Sequence, residues 1–483
     1  PILKQRKIRM AGTAYGDRME KGGDQLSIEK SLFVKTHLAS KKTDSADGGW
    51  GTWHHMGGSL RLAAGHSFGD IWERFGKEHP EWFAMAPNGS RDQSNSPHRA
   101  RLCVSNPKLI AQIARDRIAR INETGQKSVS IGPNDGGTTS FCMCEECKKL
   151  DPPEGRKITL IDFSPGANRE KFEYVSMTDR YVHFFNAIAE QVTKVHPDVW
   201  LAADAYSVYA APPVKAKLHP NIAIRYVGIS YTDEEKRKQG IADWNAWSKA
   251  AKKIYFRSNM LLAGRRQGTP VIYVHKLSKD FSQIAKNNMI GTDLDSCLNH
   301  WATQGLNFYV MAKLLWNPDT DVDVLIDDYC TAGFGKGADA VKRYYLRLEE
   351  LTNEMAEQGK KPTEPFTPEV VAELRGMLDE AKAATQGDVD TSKRVAFLRV
   401  GLEYTDAYCE IFRINREWEA TGSKRYSKEF LERIGKACDR NREVSRDVFE
   451  NNHLAINTTY VAWGSWAYFG RFGWNSSSDK LKK

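Results

Sequence analysis

From Lys7 to about Pro318 the sequence alternates short β-rich runs with amphipathic helical stretches, and past Pro318 the β pattern stops. That alternation is the strongest constraint on the fold, because parallel strands need crossover connections and helices are the usual crossovers. Strands are expected over 8–13, 51–56, 100–104, 128–134, 199–206, 222–229, 253–259 and 290–297. Eight such strands predict an α/β architecture, a (β/α)8 TIM-like barrel over residues 1–318, followed by a C-terminal α-helical domain over 319–483.

Helices between the strands announce themselves by period and by caps. Over 107–124, Pro107 follows Ser105 and Asn106, and Leu109, Ile110, Ile113 and Ile118 form a stripe. Over 178–195, Val182, Phe185, Ile188 and Val192 do the same. After Pro318 the helical periods run over 321–332, 337–358, 367–385, 391–420 and 427–449. The aromatic tail from His453 to Trp474 reads as core packing, with a sugar-lining surface as the alternative.

In such a barrel the loops after the strands build the site, so long loops over 57–99 and 135–174 draw attention. Two carboxylates stand at predicted strand mouths. Asp135 follows Asn134 in GPNDGG, and Asp295 lies in IGTDLDSC, where period-two alternation turns Asp293 and Asp295 to the interior and Leu294 to the helix layer. Glycoside hydrolysis needs two carboxyl groups, about 5–5.5 Å apart for retention or about 6.5–9.5 Å for inversion. Asp135 is the general acid/base candidate and Asp295 the second carboxylate, acting as nucleophile or orienting a 2-acetamido group.

Around them, His55, His66, Asn134, Asp204, Tyr206, Arg225, Tyr231, Arg257, Asp293, Asn299, His300 and Trp301 fall at strand ends or in the following loops. This mixture of rings, amides and cations suits hydrogen bonding to sugar hydroxyls and stacking on sugar faces. Arg265 and Arg266 extend the same basic rim.

Other classes are set aside by what is missing. Seventy Lys and Arg against 61 Asp and Glu give a formal charge of +9 without a block of like charge. Nucleic acid is therefore not expected as a partner, while an anionic glycan is compatible. No run of 18 apolar residues predicts membrane insertion. There is no phosphate loop, dinucleotide fingerprint, H-E-x-x-H or G-x-S-x-G, so no cofactor and no catalytic metal are expected. The first residues lack the apolar core of a signal peptide, and a leader or domain removed before Pro1 is one expectation.

Cys142, Cys144 and Cys147 form C-x-C-x2-C, one ligand short of a closed thiolate site, with Cys103 as the candidate fourth sulfur. Disulfide bonding, a structural metal and plain reduced thiols all fit this spacing.

The segments HPEWFAM, RLCVSNP, SIGPNDGGTTSFCMCEEC, AYSVYAAPP and YVMAKLLWNPDTDVDVLIDDYC, in order over about residues 60–335, resemble the domain of unknown function 4838, classified in part as glycoside hydrolase family 163. The resemblance implies a secreted or periplasmic bacterial glycan-degrading enzyme on a TIM-like barrel, similar to endo-acting β-N-acetylglucosaminidases of complex N-glycans. Proteins of similar sequence occur in bacteria that feed on marine sulfated glycans. Where such proteins carry a Glu after the final barrel strand, this chain has Asp295, shorter by one methylene. The expected activity is hydrolysis of an N-acetylglucosamine-containing or sulfated oligosaccharide or polysaccharide. The alternative is a non-catalytic glycan-binding protein on a barrel scaffold.

Overall fold

The computed structural model describes residues 5–6, 8–10, 57–58, 62–136, 141–260, 268–297, 300–423, 425–452 and 455–456. Its strands are β1 (Gln5–Arg6), β2 (Ile8–Met10), β3 (Gly57–Gly58), β4 (Ser128–Ser130), β5 (Lys157–Ile161), β6 (Lys171–Val175), β7 (Trp200–Ala205), β8 (Ile222–Tyr226), β9 (Lys253–Phe256), β10 (Met289–Thr292) and β11 (Leu294–Cys297). Its helices are α1 (Ile71–Phe75), α2 (Pro107–Thr124), α3 (Glu145–Lys148), α4 (Thr178–Val195), α5 (Glu234–Ala250), α6 (Val274–Lys286), α7 (Trp301–Trp316), α8 (Val322–Phe334), α9 (Ala338–Gln358), α10 (Pro368–Ala384), α11 (Val389–Ala420) and α12 (Lys428–Asn451).

The protein is a mixed α/β fold built on a seven-stranded sheet in the order β3-β1-β10-β9-β8-β7-β4. All of its pairings are parallel except β1 with β3. Among the described residues this sheet has two edges, β3 and β4, and no closed ring of eight strands is seen. Beside the β4 edge, His66 makes a parallel bridge to Gly132, and Ser67 N donates to Gly132 O at 3.1 Å.

The two faces of the sheet differ in chemistry. On one, Leu201, Ala203, Ile222, Ile224, Tyr226, Ile254 and Phe256 are buried, and helices α4 and α5 bring Val182, Phe185, Ile188, Trp244 and Trp247 into the same core. On the other, the register sets Asp204 beside Arg225 and Arg225 beside Tyr255, with alanines at Ala202 and Ala223 leaving room for the longer side chains. A sheet whose second face is lined by charges has a polar interior to serve, since buried charges persist only when paired.

Capping fixes the helix starts where the sequence says. Asn106 Oδ1 accepts from Lys108 N and Leu109 N at 3.0 and 3.1 Å, Pro107 occupies the first turn, and Gly125 ends α2 in the left-handed region at φ 62°. Asp321, Thr367, Asp388 and Ser427 cap α8, α10, α11 and α12 by the same device. These helices fall within two residues of the expected periods. One hydrophobic core runs from Phe68 through the sheet to Leu402 and Cys409, and a second, around Tyr408, Ile411 and Ile434, joins α11 to α12. Among the described residues no helix is long and apolar enough to cross a membrane.

Two expectations need correction. Segment 100–104 is not a strand of the sheet: its hydrogen bonds go to residues 82–84, with Ala84 N to Arg101 O at 2.9 Å and Cys103 N to Trp82 O at 2.8 Å. Its backbone is therefore occupied by a local antiparallel contact, the Phe83–Leu102 bridge. The stretch 290–297 is not one evenly alternating strand either. Pairing shifts between Met289 and Gly291, and again between Leu294 and Cys297, where Leu294 pairs with Ile8 and Cys297 with Met10. That places one extra residue around Asp295 and Ser296, a bulge of the kind that re-aims side chains. The loop over 135–174 also holds an unforeseen antiparallel hairpin, β5 with β6. The expected strand over 51–56 and the aromatic tail after His453 lie outside the described residues, apart from Ala455 and Ile456.

Candidate active site at the polar face of the sheet

The polar face is organised by Arg225. Its Nε and Nη2 donate to Asp204 Oδ1 and Oδ2 at 2.7 and 3.0 Å, and its Nη1 donates to Asp293 Oδ2 at 2.9 Å. All three side chains are buried. β7 and β8 supply the first pair from directly opposed positions, and the break in pairing after β10 supplies Asp293. The planar guanidinium grips one carboxylate with a forked pair and still donates to a second, a geometry that a lysine ammonium does not offer. Tyr255, opposite Arg225 on β9, lies close enough to Asp293 that burial and this carboxylate together push its phenol well above the ordinary range.

Asp135 belongs to a second group, beyond the end of β4. Its neighbour Asn134 is buried, with Oδ1 accepting from Phe68 N at 3.1 Å and Nδ2 donating to Phe68 O and Ala100 O at 3.0 and 2.9 Å. The Asn134 carbonyl accepts from Arg101 Nη1. Arg101 also closes over Gly136, where a Cβ would stand 2.0 Å from its Nη2. Asn134 thus serves as a latch, and its amide is committed to backbone where sugar contact was expected. Asp135 itself is half-buried, and no described residue donates to its carboxylate.

His66 and Tyr206 flank the same region. His66 Nδ1 lies 2.6 Å from Pro133 O, and its ring centroid is 6.5 Å from that of Tyr206, two residues past Asp204. Gly132 links the two groups, since a Cβ there would stand 3.5 Å from Asp204 Oδ2. Arg257 extends from the end of β9, half-buried, with Nη1 donating to Asn259.

Two expected sugar contacts, Tyr231 and His300, are corrected, and a third, Trp301, lies apart from the polar face. Tyr231 is buried, stacked on Tyr273 at 4.7 Å and 6°, so its ring is spent on the core. His300 is fully buried at the start of α7, its carbonyl accepting from Thr303 and Gln304. Trp301 packs edge-on against Phe308 and lines a cavity of about 360 Å³ with Tyr309, Tyr329, Phe334 and Phe397, which none of the sheet's charged residues shares. The backbone of Asp295 lies in β11, while its side chain, His55, Asn299, Arg265 and Arg266 lie outside what is described.

Sequence reasoning missed Arg101, which reads as one residue of a strand, and Arg180, which lies on the apolar-striped α4. Arg180 is buried and donates from Nε to Asp151 Oδ1 at 2.8 Å and from Nη1 to Cys142 O at 2.6 Å, tying the long loop to α4. A buried arginine has no local signature; only its distant partners mark it.

Beside this loop the Sγ atoms of Cys103, Cys142, Cys144 and Cys147 lie within 4.8 Å of one another, all buried, and no disulfide joins them.

Two solved structures align with the chain. One, described as a GH138 enzyme targeting pectin rhamnogalacturonan II, aligns at a TM-score of 0.38 and 8% identity, over 78% of this chain and 65% of that one. The other, the "Structure of CpGH84B", aligns at 0.20 and 9%, over 73% and 74%. The chain thus spans about 65% of the length of the first. No curated protein matches the sequence. Residues 28–346, well over half of the chain, match the family model described as domain of unknown function DUF4838, and the protein is a member of that family.

Proposed function

We propose that this protein is a glycoside hydrolase, with Asp135 as general acid/base and Asp295 as the second carboxylate, on a TIM-like barrel spanning residues 1–318. The observation that carries the reading is the polar face of the parallel sheet, with half-buried Asp135 beyond the end of β4 and His66 and Tyr206 flanking that region. Barrel enzymes keep their chemistry at the carboxyl ends of the strands. Asp204 and Asp293 are both held by Arg225, so they serve to fix the floor of the site, and Asp135 depends on Asp295 as its partner.

The resemblance to glycoside hydrolase family 163 favours a complex, N-acetylglucosamine-containing glycan. The charge of +9 favours an anionic or sulfated one. A secreted or periplasmic location, where such polymers are met, belongs to the same proposal, as does a C-terminal helical domain over 319–483 packed on the barrel.

The fixed Asp204–Arg225–Asp293 group favours a second reading, a glycan-binding protein, because it removes two carboxylates from acid-base work. Incubation with a library of N-glycans and sulfated polysaccharides, read by mass spectrometry of products and by retention on the immobilised glycans, separates the two. Cleavage products identify a hydrolase. Retention without products leaves the binding reading, and the absence of both cleavage and retention removes both readings.

A further inference from the structure

The four cysteines converge from two separate stretches of chain. Cys103 ends the segment held against residues 82–84, Cys142 and Cys144 precede α3, and Cys147 lies within it. The Sγ separations are 3.4 Å for Cys142–Cys144, 3.7 Å for Cys103–Cys144 and 3.9 Å for Cys103–Cys147. A tetrahedral ion with metal–sulfur bonds of about 2.3 Å sets its sulfurs about 3.8 Å apart along every edge. The sulfurs form one four-cornered cluster of that size, and not two separate pairs.

The surroundings suit anionic sulfur. Met85 N donates to Cys142 Sγ at 3.4 Å, and Ser105 Oγ stands 3.1 Å from Cys147 Sγ. The buried Arg180 donates to the Cys142 carbonyl at 2.6 Å, and the Arg91 guanidinium, anchored on the Phe83 carbonyl, lies within electrostatic range of the cysteine group. Two cations therefore stand beside a centre that would carry a net charge of about −2 with four thiolates and one divalent ion, which lowers the cost of burying it.

We propose that Cys103, Cys142, Cys144 and Cys147 bind one Zn²⁺ as a closed tetrathiolate site that clamps the loop after Asp135 to the 100–104 segment. Each thiol gives up its proton to solvent as its sulfur bonds the ion, with no change of oxidation state. All four positions are filled by protein, so the ion is structural and has no room for a reacting water. Arg101, two residues before Cys103, holds the Asn134 carbonyl, so the clamp fixes both flanks of Asp135. Zinc is chosen over iron, which the same ligands accommodate, because joining two segments needs no redox change. The inference is independent of any hydrolytic activity.

The test uses the full chain purified without chelator. Elemental analysis should find about one zinc per chain, and Cys103→Ser and Cys142→Ser should each lose most of it. Because those variants can misfold, the wild-type chain stripped of metal under reducing conditions is titrated with Co²⁺ alone. Intense sulfur-to-cobalt charge transfer with tetrahedral ligand-field bands, bleached by added Zn²⁺, is expected. A metal-free native protein whose stripped form gives no such spectrum overturns the proposal. Peptide mapping that finds these cysteines in disulfides overturns it equally, and stoichiometric iron overturns the choice of metal.

Discussion

Arg225 grips Asp204 with two parallel hydrogen bonds, Nε to Oδ1 at 2.7 Å and Nη2 to Oδ2 at 3.0 Å, from the directly facing position on the neighbouring strand. With its remaining nitrogen bonded to Asp293, the guanidinium crosslinks β8 to β7 and to the residue following β10. The polar face of the sheet is in this way crosslinked by one buried cation.

Removing that cation should be felt as lost stability. Arg225→Met leaves two buried carboxylates without their partner, and breaking a buried pair from one side costs about 3–5 kcal/mol. Urea denaturation should give a loss in that range, with Arg225→Lys intermediate because an ammonium cannot make the forked contact. A change below about 1 kcal/mol for Arg225→Met, typical of exposed pairs, would mean the group is solvated.

Asp135→Asn and Asp295→Asn should each lower turnover of the proposed hydrolysis by about 10² to 10⁴ while the melting temperature stays within a few degrees. The amide keeps size but cannot exchange a carboxyl proton. Initial rates on the cleaved glycan check this, and near wild-type turnover of Asp135→Asn removes its assignment as the acid.

His275 gives the protein a pH dependence away from the site. Its Nδ1 lies 2.5 Å from Glu349 Oε2 and its Nε2 3.3 Å from Asp323 Oδ1, joining α6 to α9 and α8. The Glu349 bond raises its pKa from 6.5 to about 9, against the opposing effect of partial burial. A folded-state pKa above the unfolded one stabilises fully below about 6.5, and that contribution fades as pH rises through about 9. Melting temperature should fall across this window, and His275→Gln should flatten the fall; equal slopes in both proteins would rule the pair out.

Tyr231→Phe should leave sugar handling unchanged and raise stability slightly or leave it the same. The buried hydroxyl has Asp280 as a polar neighbour but makes no hydrogen bond of ordinary geometry among the described residues, and such a group costs about 1–3 kcal/mol to bury. Thermal denaturation and glycan affinity of the variant check both halves. If it instead loses glycan affinity with its stability intact, the loop after β8 opens to substrate.

The elements are legible in local sequence: α2 from Asn106 and Pro107 to Gly125, the stripe of α4, the five late helices, four of them with side-chain caps, and the parallel strands at β4, β7, β8, β9 and β10. These follow from side chains a few residues apart, through the 3.6 and 2 residue periods and through caps that bond their own helix. What the polar residues do depends on contacts between distant parts of the chain. Arg225 meets partners 21 and 68 positions away, Asn134 latches backbone 66 and 34 positions away, and Cys103 reaches Cys144 across 41. Sequence spacing cannot distinguish a buried arginine that neutralises two acids from one that waits for a substrate, because the difference lies in which distant atoms the fold brings within about 3 Å.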